Sequence, residues 1–439
     1  MSSSELSPPG TVANPGNRCL LRKEQYRVVG IVSLGGCLEF YDFAIFVFFA
    51  DVIGQAFFPV GMPSWLTSAQ TWGFFAAGYV FRPLGGVVLA HFGDLFGRKR
   101  VFAFSILLMA TSTLGIGFLP TYATIGVAAP FLLLFMRVLQ GIAIGGEVPG
   151  AWTFVAEHVP SKNVGRACGI VCGGLTLGIL LASSVATAVT SLLHSDEVHQ
   201  FGWRLPFLLG GFFGLAGMKL RRMLKETPVF SSLRKRKMLV PELPLRVVLQ
   251  TGGYGIIRSI TVTWVLSIVV VLTLMMPIIL RNGYGYRKEE ALVAASVSTL
   301  FQGLGVVFGG ALLDRIGAAK FYLLFTLVLS IGAVSYAKIA NSHSLELLAL
   351  CAIVGLSGGV TAGTPYVMVA SFPARIRYTG VSFAYNMSYA FLGGVMPVLI
   401  NAVSPLGVIA PVLFFVALSI SALGMGLVLM FRSSPLVPE

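Results

Sequence analysis

Two carboxylates sit in "LEFYDFAIF" (38–46), inside a stretch otherwise built of apolar residues. Glu39 and Asp42 are three apart, so on a helix both can face one stripe. No basic residue occurs between Arg27 and Arg82. Arg82, Arg137 and Arg258 are embedded in equally apolar runs further along. At ~1.5 Å per residue, Glu39 and Asp42 lie roughly 18–22 Å into a helix that starts near residue 27, and Arg137 lies about 21 Å into its own. Arg82 and Arg258 fall at similar depth. A charge facing lipid at the bilayer centre costs ~2.5–3.5 kcal/mol. Five of them would approach the ~5–15 kcal/mol that stabilises an entire fold. They must face a watered cavity or one another. Dehydration favours the neutral form of a carboxylate, and a nearby guanidinium favours the charged form. A carboxylate held between these influences can take a proton from one side and release it to the other. The same residues could instead form a fixed ion pair tying helices together.

The composition demands a membrane. Of 439 residues, 56% are hydrophobic and only 11% charged, with a mean hydropathy of +0.85. A soluble surface cannot be covered from that stock, which predicts an all-α integral membrane protein. Twelve apolar stretches are long enough to be spans: 27–54, 65–93, 101–120, 123–156, 164–193, 201–220, 246–280, 289–313, 319–339, 345–372, 377–402 and 406–431. The polar N-terminal stretch has no apolar h-region and reads as a flexible tail over 1–26, leaving the first span to direct insertion. A basic linker over 221–245 divides the spans into bundles at 27–220 and 246–431, followed by a short tail at 432–439.

The formal charge of +14 would suggest nucleic acid in a soluble protein. Most of the lysines and arginines instead fall on one set of connections: Arg18 to Arg27, Arg98 to Arg100, Lys162 and Arg166, Lys219 to Arg246, Arg315 and Lys320, Arg375 and Arg377, and Arg432. The positive-inside rule places that set, and both termini, in the cytoplasm. The charge orients the chain and leaves no reason to expect nucleic acid. The cluster Arg234–Lys237 could meet anionic lipid headgroups, though a solvated linker explains it as well. The five cysteines include no CxxC pair, and His91, His158, His194, His199 and His343 lie near span ends without a convincing partner, so no metal site is expected.

The halves repeat. Gly85, Val87, Asp94 and Gly97 line up with Gly305, Val307, Asp314 and Gly317 at an offset of roughly 220 residues. "QGIAIGG" (140–146) and "VAEHVP" (155–160) have weaker echoes at 354–359 and 369–373. Paired six-helix repeats suit a carrier that rocks two halves about a central site. Gly169/Gly173, Gly174/Gly178 and Gly305/Gly309 are spacings that let helices approach closely.

These features resemble the major facilitator superfamily, and within it the metabolite–proton symporter group of bacterial organic-acid and osmolyte carriers. "GDLFGRKR" (93–100) resembles the superfamily's loop signature and "RVLQG" (137–141) its fourth-helix motif. "LEFYDF" (38–43), "FRPLGG" (81–86), "QGIAIGGEVPGA" (140–151), "KETPVF" (225–230) and "FPARIRYTGVSFAYNMSYA" (372–390) are similar to the narrower group. The resemblance implies twelve spans in two pseudo-symmetric six-helix bundles. It implies proton-coupled uptake of a small metabolite by alternating access in the bacterial inner membrane, with no cofactor beyond the proton gradient, no enzymatic step and a monomeric chain among lipids.

By the same resemblance Asp42, following Tyr41, carries the proton and pairs with Arg137, with Glu39 as second choice. Gly93, Asp94, Gly97, Arg98, Lys99, Arg100, Asp314 and Arg315 form the cytoplasmic gate, together with Glu157, and Glu147 suits a gate or a cap as well as it suits coupling. Ala90, Leu95 and Ala318-Ala319 depart from the usual loop pattern. Three arginines against two mid-depth carboxylates leave positive charge over, which argues for a carboxylate-bearing anion as substrate. Arg82, Arg258 and Arg137 would bind it, walled by Tyr41, Tyr254, Trp264, Asn386 and Tyr389. A proton-coupled exporter and a transport-inactive sensor are the competing readings. The Gly-Pro pair of drug antiporters is absent from the fifth span, and the intramembrane charges are all retained.

Overall fold

The computed structural model describes residues 21–59, 61–235, 244–403 and 409–431. Among these there are helices and no strand. The tails at 1–20 and 432–439, and Arg236 and Lys237 of the basic cluster, lie outside the described residues.

Twelve long helical elements follow in order. They are α1 (Lys23–Phe48, extended by Ala50–Phe57), α2 (Ser64–Val80 and Arg82–Phe96), α3 (Arg98–Phe118), α4 (Ala128–Ala156), α5 (Val164–Leu192) and α6 (Arg204–Arg222). In the second half they are α7 (Gly253–Ile278), α8 (Lys288–Ile316), α9 (Ala318–Ile339), α10 (Ser344–Ser357, through a 3-10 turn into Gly363–Ala370), α11 (Arg377–Val403) and α12 (Ile409–Phe431). Ten spans meet the length and hydropathy expected of a membrane crossing, and α6 and α11 complete the set. Phe131 (70% exposed), Phe308 (69%) and Leu327 (65%) project from these helices, a surface that suits lipid and not water.

Two expected elements differ. The span expected over 246–280 is divided into Pro244–Thr251 and α7, because the chain bends at Gly252 (φ −99°, ψ 11°) before helix resumes. Arg221, expected in the linker, is the penultimate residue of α6 and only 2% exposed. Inside α2, Pro83 follows directly on the break at Phe81, where it restarts the helix without needing an amide donor.

Glycine seams bring the helices together where charges must be enclosed. Gly174 meets the Ser33 backbone and Gly178 the Cys37 carbonyl, forming the α1–α5 seam. A Cβ on Gly169 would stand 2.9 Å from the Gly310 Cα, which is the α5–α8 seam across the two halves. Gly305 and Gly309 rest on carbonyls of α10 and its turn. The repeat is visible in the backbone as well. Gly97 (φ 105°) and Gly317 (φ 79°) end α2 and α8 in a conformation that suits glycine.

At Gly145 a Cβ would run into the Arg82 carbonyl and stand 2.8 Å from the Gly86 amide. Gly145→Ala should therefore destabilise the protein by ~1–3 kcal/mol and lower the melting temperature in detergent. Gly30, with nothing within 4 Å, should tolerate alanine or gain ~0.5–1 kcal/mol. Equal losses in the two variants would refute the close-approach account.

Candidate functional site

A buried polar cluster lies between α1, α3, α4 and α6 of the first half. Asp42 (1% exposed) lies against Gly210 of α6, where any Cβ would strike its carboxylate. The Thr113 hydroxyl of α3 lies beside Asp42. Thr113 in turn accepts from Gln140 Nε2 at 2.9 Å, and Gln140 Oε1 accepts from Arg137 Nη1 at 2.7 Å. Asp42 and Arg137 thus belong together, but not as the direct ion pair that the family resemblance implied. Two neutral side chains stand between them, because Arg137 is turned onto aromatic rings. Its guanidinium carbon lies 4.2 Å from the Phe46 ring centre and 5.0 Å from that of Phe43. The Tyr41 hydroxyl donates to the Pro206 carbonyl of α6 at 2.9 Å.

Glu39 lies deeper, beside Glu147 of α4. Glu147 pairs with Arg221 of α6 at 2.6 Å. Glu147 is thus placed with Glu39 and Arg221 in this buried group. Arg221 escaped the sequence reading because it adjoins Arg222 at a span end, where basic residues are expected to be solvated.

Arg82 stands at the seam between the halves. Its guanidinium carbon is 4.4 Å from the ring centre of Tyr389, 5.0 Å from that of Tyr385 and 5.5 Å from that of Tyr79. Nε donates to Asn386 Oδ1 at 3.3 Å, while Nη2 has no hydrogen-bond partner among the described residues. Phe40, Phe43, Tyr79, Arg82, Val270 and Tyr389 border a cavity of about 10 Å³, enough for roughly one water. Asn386 is fixed by an unusual acceptor. Pro149 has no amide to offer the Gly145 carbonyl, which instead accepts from Asn386 Nδ2 at 2.6 Å and Ser382 Oγ at 3.3 Å. A proline in one half thereby anchors the other.

The remaining expected wall residues are placed elsewhere. Arg258 lies only five residues into α7, about 7.5 Å from its start, since the break at Gly252 shortens the span. It packs on Tyr254, with 4.8 Å between guanidinium carbon and ring centre. Tyr254 (44% exposed) and Trp264 (45%) do not border the cavity. The surplus of arginine expected from Arg258 is replaced by a balance: Glu39, Asp42 and Glu147 against Arg82, Arg137 and Arg221.

The end of the bundle carrying the basic loops is closed. Asp94 accepts from the Thr379 amide at 3.1 Å and hydroxyl at 2.7 Å, at the start of α11. Asp314, its repeat partner, accepts from the amides of Gly165 and Arg166 at 2.7 Å each, at the start of α5. Each half's aspartate therefore caps a helix of the other half, with the anion set against the positive end of the helix dipole. Arg98 pairs with Asp94 at 3.5 Å and with Glu157, and Arg377 reaches Glu157 at 3.5 Å. Glu226 caps α3, accepting from the amides of Arg98 and Lys99 at 3.2 Å each. Gly93 leaves room for the Tyr378 ring. The Lys99 side chain and the exposed Arg100 and Arg315 make no ion pair among the described residues. Glu226, Arg377 and Thr379 lie within recognised motifs, but their partners are remote in sequence.

The family model for the Major Facilitator Superfamily matches residues 32–397 and 269–438. The chain belongs to the major facilitator superfamily. It is 30% identical over 390 residues to the proline/betaine transporter of Salmonella typhimurium, covering 85% of this chain and 76% of that one. The proline/betaine transporter of Escherichia coli K12 matches at 30% over 394 residues, with the same shares covered. Among solved structures, the proton:xylose symporter XylE bound to 6-bromo-6-deoxy-D-glucose superposes with a TM-score of 0.79 at 16% identity, covering 94% of this chain and 96% of that one. The inward-open form of the Escherichia coli xylose transporter gives 0.66 at 16% identity, covering 94% and 97%. This superfamily member is therefore a multi-pass membrane transporter and not an enzyme, with the two-bundle fold that its motifs implied.

Asp94→Asn should loosen the closed end of this transporter. Hydrogen bonds to charged groups are worth ~1.5–3 kcal/mol, so the open population should rise at least about tenfold. Spin labels at the exposed positions 100 and 320, in a background freed of other cysteines, would report it as a longer inter-label distance. An unchanged distance distribution would show that the aspartate cap does not hold the gate.

Proposed function

We propose that this protein is a proton-coupled symporter that takes up a small carboxylate-bearing osmolyte or metabolite, most simply a zwitterion of the proline or betaine kind. It works by alternating access between bundles at 27–220 and 246–431, as a monomer with both termini and the basic end in the cytoplasm. The observation that carries the reading is Arg82: buried at the seam between the halves, with one nitrogen free and tyrosine rings around it. A guanidinium so placed can take a carboxylate through its fork, and the surrounding rings suit the cationic end of the same molecule. The names of the relatives point to the same chemistry.

Charge balance supports coupling. Each proton bound adds one positive charge to this group of three carboxyls and three guanidiniums. Protonation would then favour entry of the substrate carboxylate, and loss of the proton would favour its release. Asp42 is the proposed proton carrier, with Thr113 and Gln140 relaying its state to Arg137. Arg137 shapes the site from beneath the phenylalanines. Tyr389 and Asn386 hold Arg82, while Tyr254, Trp264 and Arg258 have no part in this pocket.

In liposomes loaded with a pH-sensitive dye, inward gradients of proline, glycine betaine and simple di- and tricarboxylates should give lumenal acidification with at least one compound. Asp42→Asn should abolish it. Arg82→Lys should raise the half-saturating concentration about tenfold or more, since an ammonium cannot reproduce the fork. Tight binding of a compound without acidification would favour an exporter or a sensor. Acidification that survives Asp42→Asn would move the proton elsewhere.

A further inference from the structure

The buried carboxyls of Glu39 and Glu147 form a pair that the relay from Asp42 to Arg137 does not use. Glu39 is 4% exposed and Glu147 is fully buried. They lie beside each other, with Gly35 and Glu39 of α1 on one side of Arg221 and Glu147 on the other. Neither oxygen of Glu39 accepts a hydrogen bond from a donor among the described residues. Arg221 meets Glu147 at 2.6 Å. Its seat is built: a Cβ on Gly35, one turn before Glu39, would stand 2.6 Å from Arg221 Nε.

Two ionised carboxylates side by side against the single guanidinium of Arg221 leave one buried negative charge over. A carboxylic acid removes that charge and supplies the missing donor, because its O–H can bond the neighbouring carboxylate. Like charges at such separation do not both ionise readily. We propose that Glu39 and Glu147 hold one proton between them, as a second proton-binding site distinct from Asp42, with Arg221 balancing the charge that remains. The proton resides on one carboxyl oxygen and is donated to the other carboxylate, so no further partner is required.

The surroundings fit that state. Asp42 on α1 adds negative charge, and Arg82 on α2 adds positive charge at the seam. Ser105 on α3 lies beside Glu147, and Tyr378 and Tyr385 approach from α11. The pair lies among α1, α4 and α6 and electrostatically faces Arg82, so a substrate carboxylate on Arg82 would alter the field that holds the proton. That use rests on the transport reading above; the existence of the shared proton does not.

The test needs no substrate. Purified protein in lipid nanodiscs at neutral pH is examined by infrared spectroscopy for the carbonyl band of a protonated carboxyl group, in the Asp42→Asn background to remove the other candidate. The band should be present there, and should be lost in both Asp42→Asn/Glu39→Gln and Asp42→Asn/Glu147→Gln, with each variant first shown to be folded by size-exclusion and melting. Absence of the band in Asp42→Asn alone, or its survival in both glutamine variants, would overturn the shared proton. Loss of the band alongside intact dye acidification would leave the transport reading standing without it. A persistent, glutamate-dependent band in a protein that moves none of the panel compounds would do the reverse.

Discussion

A charge inside hydrocarbon must find a partner, and this requirement organises the middle of the molecule. Arg137, Arg82 and Arg221 are each at most 2% exposed, and each is answered in a different way. Arg137 lies on phenylalanine rings and donates to Gln140, Arg82 lies among tyrosines and donates to Asn386, and Arg221 meets a carboxylate. Aromatic faces offer an arginine attraction without neutralising it. The two arginines held that way keep their charge available, whereas the one held by Glu147 does not.

The same requirement explains why glycine and proline are concentrated near these groups. Gly210 admits the Asp42 carboxylate against α6, Gly35 admits Arg221 against α1, and Gly78 lies next to the Arg137 guanidinium. Pro149 leaves the Gly145 carbonyl open, and residues of α11 fill it. Contacts of this kind join the halves through backbone groups, which can be exchanged for water when the halves separate. The contacts at the basic end follow the same logic, with Asp94 and Asp314 satisfying amides at helix starts in the opposite half.

The second half contains no counterpart of the charged cluster among its described residues. In the corresponding region Thr273 donates to Gln302 at 2.7 Å, beside a cavity of about 20 Å³ bordered by Ser298, Tyr336 and Ser357. These are neutral groups. Duplication preserved the helices and the aspartate caps, while the ionisable centre is confined to the first half and reaches the second only through Arg82.

The sequence by itself determined the membrane, the twelve helices, the repeat and the family, because each depends on local composition or on residues adjacent along the chain. It also identified Asp42, Glu39, Arg137 and Arg82 as exceptional, since a charge in an apolar run is visible without a structure. It could not show which charges meet. Arg221 read as one more basic residue at a span end, and Glu147 as equally a gate, a cap or a coupling residue, because their partnership requires α4 and α6 to pack against α1. Arg258 read as deep because a glycine bend cannot be told from a glycine within a helix. The link from Asp42 to Arg137 through Thr113 and Gln140 was hidden for the same reason: neutral side chains become a relay only when packing excludes the water that would otherwise serve each of them. Depth along one helix follows from counting residues, but partnership across helices is decided by how their faces pack.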